Sequence, residues 1–84
     1  MTNTESRNDG FAAIAKDAAA AKDVTITKEA IGRIVAVPFK DETAETCALT
    51  FVKLGDPAGA NSIALTITTT SIRERTLSAI AKGR

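Results

Sequence analysis

The chain of 84 residues contains no histidine, tryptophan or tyrosine, and Cys47 is its one cysteine. Without histidine, neither a Ser-His-Asp triad nor a Cys-His nucleophile can form, and the usual Cys/His zinc sites are excluded as well. A single cysteine also cannot close an intrachain disulfide. No pair of carboxylates and no lysine stands out as placed for catalysis. We therefore expect a protein that is not an enzyme and that binds no cofactor and no metal ion.

Long apolar runs are missing too. No stretch approaches the roughly 18 consecutive apolar residues that a membrane-spanning helix needs. The first residues, MTNTESRNDG, are polar and lack the apolar segment of a signal peptide. The sequence thus predicts no membrane contact and an intracellular protein, either in the cytoplasm or inside an assembled particle.

Large apolar side chains are scarce. Of the hydrophobic residues, 16 are alanine and only 19 are isoleucine, leucine, valine or phenylalanine. A domain this small has little apolar surface to bury, so association with a second copy of the chain is one way to complete its core. The formal net charge is +1, and the cationic side chains near the C-terminus outnumber the acidic ones by a small margin.

The sequence divides into a polar arm and one domain. Residues 1–8 are almost wholly polar and are predicted to be a flexible N-terminal arm, and residues 9–84 are predicted to form a single domain. The alanine-rich segment 9–22 favours a helix, with Phe11 and Ile14 on a face that otherwise carries alanine. Because most side chains on that face are small, it permits close approach of a neighbouring backbone.

The middle of the sequence has patterns typical of β-strands. Segments that alternate between apolar and polar residues, or that are rich in β-branched residues, predict four strands: residues 24–27, 33–37, 46–54 and 62–70. The pattern leaves open whether residues 28–32 form a helical turn or a loop. The segment from Gly55 to Gly59 has the composition of a turn, which predicts a hairpin between the last two strands.

A second helix follows the predicted strands. Ser71 and Glu74 have the spacing of a capping box, and the helix that they start is predicted to run to Lys82 and to stop at Gly83. The predicted fold is therefore an α+β domain of two layers in the order α-β-β-β-β-α. Its sheet is mostly antiparallel, with three or four strands, and the helices pack on one face.

Two groups of side chains on the predicted strands have structural interpretations. Cys47 shares one side of its strand with Leu49 and Phe51, so we expect a buried core residue rather than a reactive thiol. Thr66 and the run from Thr68 to Thr70 form a polar row that is expected to face solvent.

Eight residues are candidates for contacts with a partner. They fall into a small-residue pair, an acidic connection and a basic C-terminal segment: Ala15 and Ala19; Asp41, Glu42 and Glu45; Arg73, Arg75 and Lys82. The alanine pair would let a second helix, or a sheet, approach closely. On a helical wheel Arg73 falls among apolar residues, and we expect it to pair either with the acidic connection or across a subunit interface.

The leading hypothesis is a small non-enzymatic interaction or assembly module that acts through protein–protein contacts and is homo-oligomeric. A component of a virion or of another particle is one such module. One alternative is a regulator or inhibitor that docks on a larger macromolecule. The other is binding of nucleic acid through the basic C-terminal helix, which the charge pattern supports weakly because its cations do not form one stripe.

Overall fold

The computed structural model describes residues 3 to 83, with side chains from Ser6 onward, and its regular structure is helical throughout. Along this range the chain forms five α-helices: α1 (Asn3–Ala20), α2 (Val24–Gly32), α3 (Val37–Lys53), α4 (Pro57–Ala64) and α5 (Thr70–Lys82). Residues 3 to 83 contain no β-strand. The α+β fold and the element order predicted from the sequence are therefore wrong, and the domain is all-helical.

The predicted strand 46–54 belongs to helix α3 and its C-cap residue, Leu54. Buried side chains recur along α3 at intervals of three or four residues, at Asp41, Ala44, Ala48 and Phe51. That interval is the period of a helix and not of a strand. The same helix contains the acidic segment that the sequence assigned to a connection.

Threonine contributes to the error, because its β-branched side chain favours strands in sequence-based predictions. In the structure the hydroxyls of Thr27, Thr50 and Thr76 each donate to the backbone carbonyl oxygen four residues earlier, at 2.7 to 3.0 Å. A helix therefore satisfies these hydroxyls with its own backbone.

The segment 24–27, predicted as a strand, instead begins helix α2. The carboxylate of Asp23 caps this helix by accepting a hydrogen bond from the backbone nitrogen of Ile26 at 3.0 Å. The helix continues to Gly32, so the segment 28–32 is helical. The predicted strand 33–37 falls mostly in the connection to α3, and Pro38 occupies the first turn of α3, where no backbone donor is needed.

The predicted hairpin turn is the start of helix α4. Asp56 is the N-cap and accepts from the backbone nitrogen of Gly59 at 3.0 Å, and Pro57 follows at the first helical position. Aspartate followed by proline is a helix-start signal, and here it outweighs the turn composition. Gly55, with a φ of 79°, supplies the left-handed backbone between α3 and α4.

Helix α5 begins one residue before the predicted capping box. Its first residue is Thr70 and its N-cap is Thr69, so Ser71 does not start the helix. The predicted strand 62–70 covers the end of α4 and the connection to α5. The predicted end of the last helix at Lys82 is confirmed.

Helix α1 is longer at its N-terminus than predicted. It begins at Asn3 rather than at Asp9, so residues 3 to 8 of the predicted arm are helical. Asn8 is buried, and its side-chain Oδ1 accepts a hydrogen bond from the backbone nitrogen of Val35 at 3.2 Å. Residues 1 and 2 of the arm, and Arg84 of the basic segment, lie outside the described residues.

Alanine lets the helices pack closely around a small core. Phe51, Ile31, Ile63 and Ile67 are among the largest fully buried side chains, and alanines of α1, α3 and α4 pack with them. Helix α3 contacts each of the other four helices. Cys47 belongs to this core, so its predicted burial is confirmed, although on a helix. Among the described residues no buried side-chain nitrogen or oxygen lacks a hydrogen-bond partner.

Candidate interaction surface

The predicted small-residue pair lies inside the protein. Ala15 and Ala19 are both fully buried in the core cluster, on the helix that packs against α2 and α3. Their small side chains permit close approach of helices, but these helices belong to the same chain. The pair is therefore not a surface that a second copy can reach.

Two of the predicted candidates pair with each other. Arg75 on α5 donates from Nε to Glu45 Oε2 at 2.8 Å and from Nη2 to Glu45 Oε1 at 2.7 Å, a bidentate contact with α3. These hydrogen bonds and the charge of Glu45, with a smaller effect of Glu42, raise the pKa of Arg75. The pair is an intrachain link between α3 and α5.

Asp41 is fully buried against the connection between α4 and α5. Its Oδ1 accepts from the Thr68 backbone nitrogen at 3.1 Å, and its Oδ2 accepts from the Thr68 hydroxyl at 3.1 Å. Oδ2 also accepts from the backbone nitrogen and hydroxyl of Thr69, at 2.9 and 2.5 Å. Burial alone raises the pKa of Asp41, but the hydrogen bonds from Thr69 and Thr68 together outweigh it, so the pKa lies below its ordinary value. Asp41 is therefore a structural residue, and Thr68 and Thr69 are its partners rather than members of a free polar row.

The other predicted candidates take no part in these two contacts. Arg73 is half-buried, and its Nη1 donates to the backbone oxygen of Ile67 at 3.1 Å. Its predicted ion pair with the acidic segment is formed by Arg75 instead. Glu42 and Lys82 are exposed.

The thiol of Cys47 is not placed for chemistry. Burial raises the pKa of Cys47 to about 11, and the positive charge of Lys16 offsets only part of this effect. At neutral pH the group is an uncharged thiol, which is a poor nucleophile.

Two exposed isoleucines lie together between α1 and α2. Ile14 is 49% exposed and Ile26 is 40% exposed, and with the half-buried Phe11 they line an open groove of about 230 Å³. Glu29 and Arg33 line the same groove. We call this surface the seam groove; its residues are Phe11, Ile14, Ile26, Glu29, Ala30 and Arg33.

A second hollow of about 200 Å³ shares Phe11 and Arg33 with the seam groove. We call it the arginine cleft; its residues are Arg7, Asn8, Phe11, Arg33 and Val35. The guanidinium carbon of Arg33 lies 6.0 Å from the centroid of the Phe11 ring, which is a cation–π distance. Among the side chains described from Ser6 to Gly83, no carboxylate lines this cleft and neither arginine forms an ion pair.

Sequence reasoning missed both hollows because it placed Arg7 in an arm and Phe11 in the core. The spacing of three residues in the sequence does indicate this surface. Arg7, Phe11 and Ile14 are separated by four and three residues, which puts them on one face of a helix. Once the helix is extended back past Asp9, this face is distinct from the buried alanine face.

Neither a metal site nor a known relative points to a function. In the part of the chain that the structure describes, no group of three or more cysteine, aspartate or glutamate side chains is placed to hold a metal ion. None of the helices found there is long and apolar enough to cross a bilayer. Comparison of the chain with protein-family models, with curated proteins and with solved structures found no match.

Proposed function

We propose that the protein is a small non-enzymatic assembly module that binds a second copy of itself through the seam groove. The observation that carries the proposal is the composition of that groove. Its centre is apolar, with Phe11, Ile14 and Ile26, and its border has one acidic and one basic side chain, Glu29 and Arg33.

The apolar centre supplies the driving force. Ile14 and Ile26 expose nearly half of their surface to water beside an aromatic ring. Removing apolar surface from water favours association by about 25 cal/mol for each Å² that is buried. A partner that covers the groove therefore removes the exposed apolar surface of both isoleucines from water, which favours association.

The charged border favours a second copy as that partner. In a two-fold dimer the same surface meets itself, so each contact occurs twice. Glu29 of one protomer can then face Arg33 of the partner subunit, and the reverse pair forms across the axis. Within the described residues of its own chain neither side chain has an ion-pair partner. Complementary charges of this kind fix the register of an interface.

The domain is flat enough to offer the area that a dimer needs. Its Cα atoms extend over 39 × 27 × 16 Å. A stable interface covers about 800 Å² on each partner, roughly a sixth of the accessible surface of 4847 Å². The seam groove would be the centre of this contact, and Val35, which is 68% exposed, would extend its apolar part.

Light scattering coupled to gel filtration tests the proposal. At micromolar concentrations and above we expect about twice the chain mass of 8.7 kDa. Glu29→Arg and Arg33→Glu should each weaken the dimer, because like charges then face each other across the axis. The double variant should restore it. A monomer at every concentration, or a double variant as weak as the single ones, would overturn the proposal.

A matched pair of substitutions tests whether the groove is the interface. Ile26→Ser should weaken the dimer, because it removes apolar surface from the centre of the groove. Leu65→Ser is the control, since Leu65 is 68% exposed but does not line the groove. Equal effects of the two substitutions would argue for unspecific apolar association.

Further measurements test the two alternative hypotheses. A monomer that forms a stoichiometric complex with a different protein would support a regulator or inhibitor in place of self-assembly. Nucleic-acid binding through α5 receives less support from the geometry, because Arg75 is paired with Glu45 and Arg73 with a backbone oxygen. It predicts binding that weakens steeply with salt, which fluorescence anisotropy measures.

A further inference from the structure

We propose that the arginine cleft binds the terminal phosphate of a phosphate monoester. This inference does not depend on self-association, because it is argued from the donors of the cleft and is tested through Arg7, which does not line the seam groove.

The two arginines of the cleft have no ion-pair partner among the described side chains. Arg7 comes from α1 and Arg33 from the end of α2, and both line the same hollow of about 200 Å³. Among the side chains that the structure describes, no carboxylate lines it and none pairs with either guanidinium. Arginine presents several N–H donors in a planar fork that matches the oxygens of phosphate. An oxyanion in this hollow would be attracted by both charges.

Asn8 adds a donor whose orientation is fixed. The side chain is only 6% exposed, and its Oδ1 accepts the hydrogen bond from the backbone nitrogen of Val35. This contact determines where the amide nitrogen Nδ2 lies. Nδ2 has no hydrogen-bond partner among the described residues, and because no buried side-chain nitrogen there lacks a partner, Nδ2 is open to solvent. Because Asn8 lines the cleft, Nδ2 can donate to an acceptor oxygen of the ligand.

Charge and volume select among the possible anions. Two guanidinium groups match a phosphate monoester, which carries between one and a half and two negative charges at about pH 7. A carboxylate or a phosphodiester carries one. The cleft of about 200 Å³ is smaller than the roughly 300–1,000 Å³ typical of sites for larger ligands. It therefore holds the phosphate and the adjoining part of the organic group, against which Phe11 and Val35 form an apolar wall.

A titration of the isotope-labelled protein by NMR tests this site. The probes are inorganic phosphate and phenyl phosphate at about pH 7.5 and at constant ionic strength, with chloride as the reference anion. We expect saturable shifts of the Asn8 side-chain amide and of the backbone amides around Arg7 and Arg33. Phenyl phosphate should bind more tightly than inorganic phosphate, because its ring covers the apolar wall. Shifts that do not saturate, or that chloride reproduces, would overturn the proposal.

Two further probes distinguish the source of the anion. Dimethyl phosphate represents the diester of a nucleic-acid backbone, and acetate represents the carboxylate of an acidic peptide. Both should bind at least several-fold more weakly than phenyl phosphate. If either binds as tightly, the cleft recognises a single negative charge and the assignment to a phosphate monoester is wrong.

Substitutions assign the binding to the cleft. Arg7→Gln should weaken the binding of phenyl phosphate about tenfold or more, since it removes charge-assisted hydrogen bonds. Lys16→Gln changes the net charge equally at an exposed position of the same helix, but Lys16 does not line the cleft, so affinity should be retained. Asn8→Asp keeps an acceptor for Val35 and places a negative charge at the site, so it should abolish binding. Equal losses in Arg7→Gln and Lys16→Gln would show general charge attraction and overturn the site.

Discussion

Asp41 and Thr69 form the contact that fixes the start of helix α5. Asp41 Oδ2 accepts hydrogen bonds from both the backbone nitrogen and the hydroxyl of Thr69. Thr69 is the N-cap residue of α5, but its own side chain makes no capping hydrogen bond. A carboxylate from α3 thus holds the two residues that precede α5, which fixes the direction in which the chain enters the helix.

Removal of this carboxylate should destabilise the whole domain. Asp41→Ala leaves the backbone and hydroxyl donors of Thr68 and Thr69 without their acceptor, at an expected loss of about 2–4 kcal/mol in the free energy of unfolding. Urea denaturation followed by circular dichroism measures the loss. Glu42→Ala is the control, because the neighbouring carboxylate is exposed and should change stability by less than about 0.5 kcal/mol. Similar losses in the two variants would contradict the role assigned to Asp41.

The same carboxylate makes stability depend on pH in the acid range. Its pKa is lower in the folded protein than the ordinary value of 3.8, so the folded state favours the charged form. The contribution of the Asp41 carboxylate to the free energy of unfolding is present in full at pH values above 3.8. It is lost as the pH falls through the pKa of the folded state. The difference in unfolding free energy between the wild type and Asp41→Asn should therefore be smaller at about pH 3 than at pH 7. A difference that is constant between these pH values would contradict the lowered pKa.

Two glycines should respond in opposite directions to replacement by alanine. A Cβ at Gly59 would lie 2.7 Å from Asp56 Oδ2 and 3.0 Å from Cδ1 of Phe51, so the Asp56 cap and the buried ring must shift. Gly59→Ala should destabilise by about 1–3 kcal/mol. Gly10 lies in α1 with no atom within 4 Å of the added Cβ, and Gly10→Ala should stabilise by about 0.5–1 kcal/mol through helix propensity. Thermal unfolding measures both. A higher melting temperature for Gly59→Ala would show that the packing at Gly59 is looser than described, and a lower one for Gly10→Ala would contradict the open helical position of Gly10.

The failure of the strand predictions has a physical cause in helix α3. This helix contacts all four other helices, so its buried residues do not form the single apolar stripe that indicates a surface helix. Over nine residues, the alternation around Cys47 then fits a strand as well as a helix. Helices α1 and α5, in contrast, have signals in their own sequence that do not depend on packing. The alanine content of α1 and the end of α5 beside Gly83 were predictable from the sequence.

For the surface, the sequence predicted an ion pair of Arg73, either with the acidic segment or across a subunit interface. In the structure Arg75 pairs with Glu45 of that segment, whereas Arg73 donates to the backbone of Ile67, because the positions of α3 and α5 depend on tertiary packing. The face shared by Arg7 and Phe11 was readable from spacing alone. It was missed because a polar composition was taken to indicate an arm, although polar residues also cover the exposed side of a helix.

The ion pair between Arg75 and Glu45 should contribute little to stability. The geometry is bidentate, but the Arg75 side chain is 62% exposed, so water and salt screen the attraction. A double-mutant cycle with Arg75→Ala and Glu45→Ala should give a coupling no larger than that of ordinary exposed ion pairs. The coupling should decrease further in high salt. A coupling that is much larger, or that salt does not change, would indicate a less solvated pair.

Arg33 links the two proposed sites, because its side chain lines both the seam groove and the arginine cleft. A phosphate bound in the cleft would neutralise the charge that Glu29 of the partner subunit needs, so phenyl phosphate should raise the dissociation constant of the dimer. By linkage, dimerisation should weaken the binding of phosphate by the same factor. Light scattering at constant ionic strength, with and without phenyl phosphate, measures the first effect. Arg7→Gln should remove the response to phosphate and leave the dimer itself intact. A dimer whose dissociation constant is unchanged at saturating phenyl phosphate would show that Arg33 does not serve both sites.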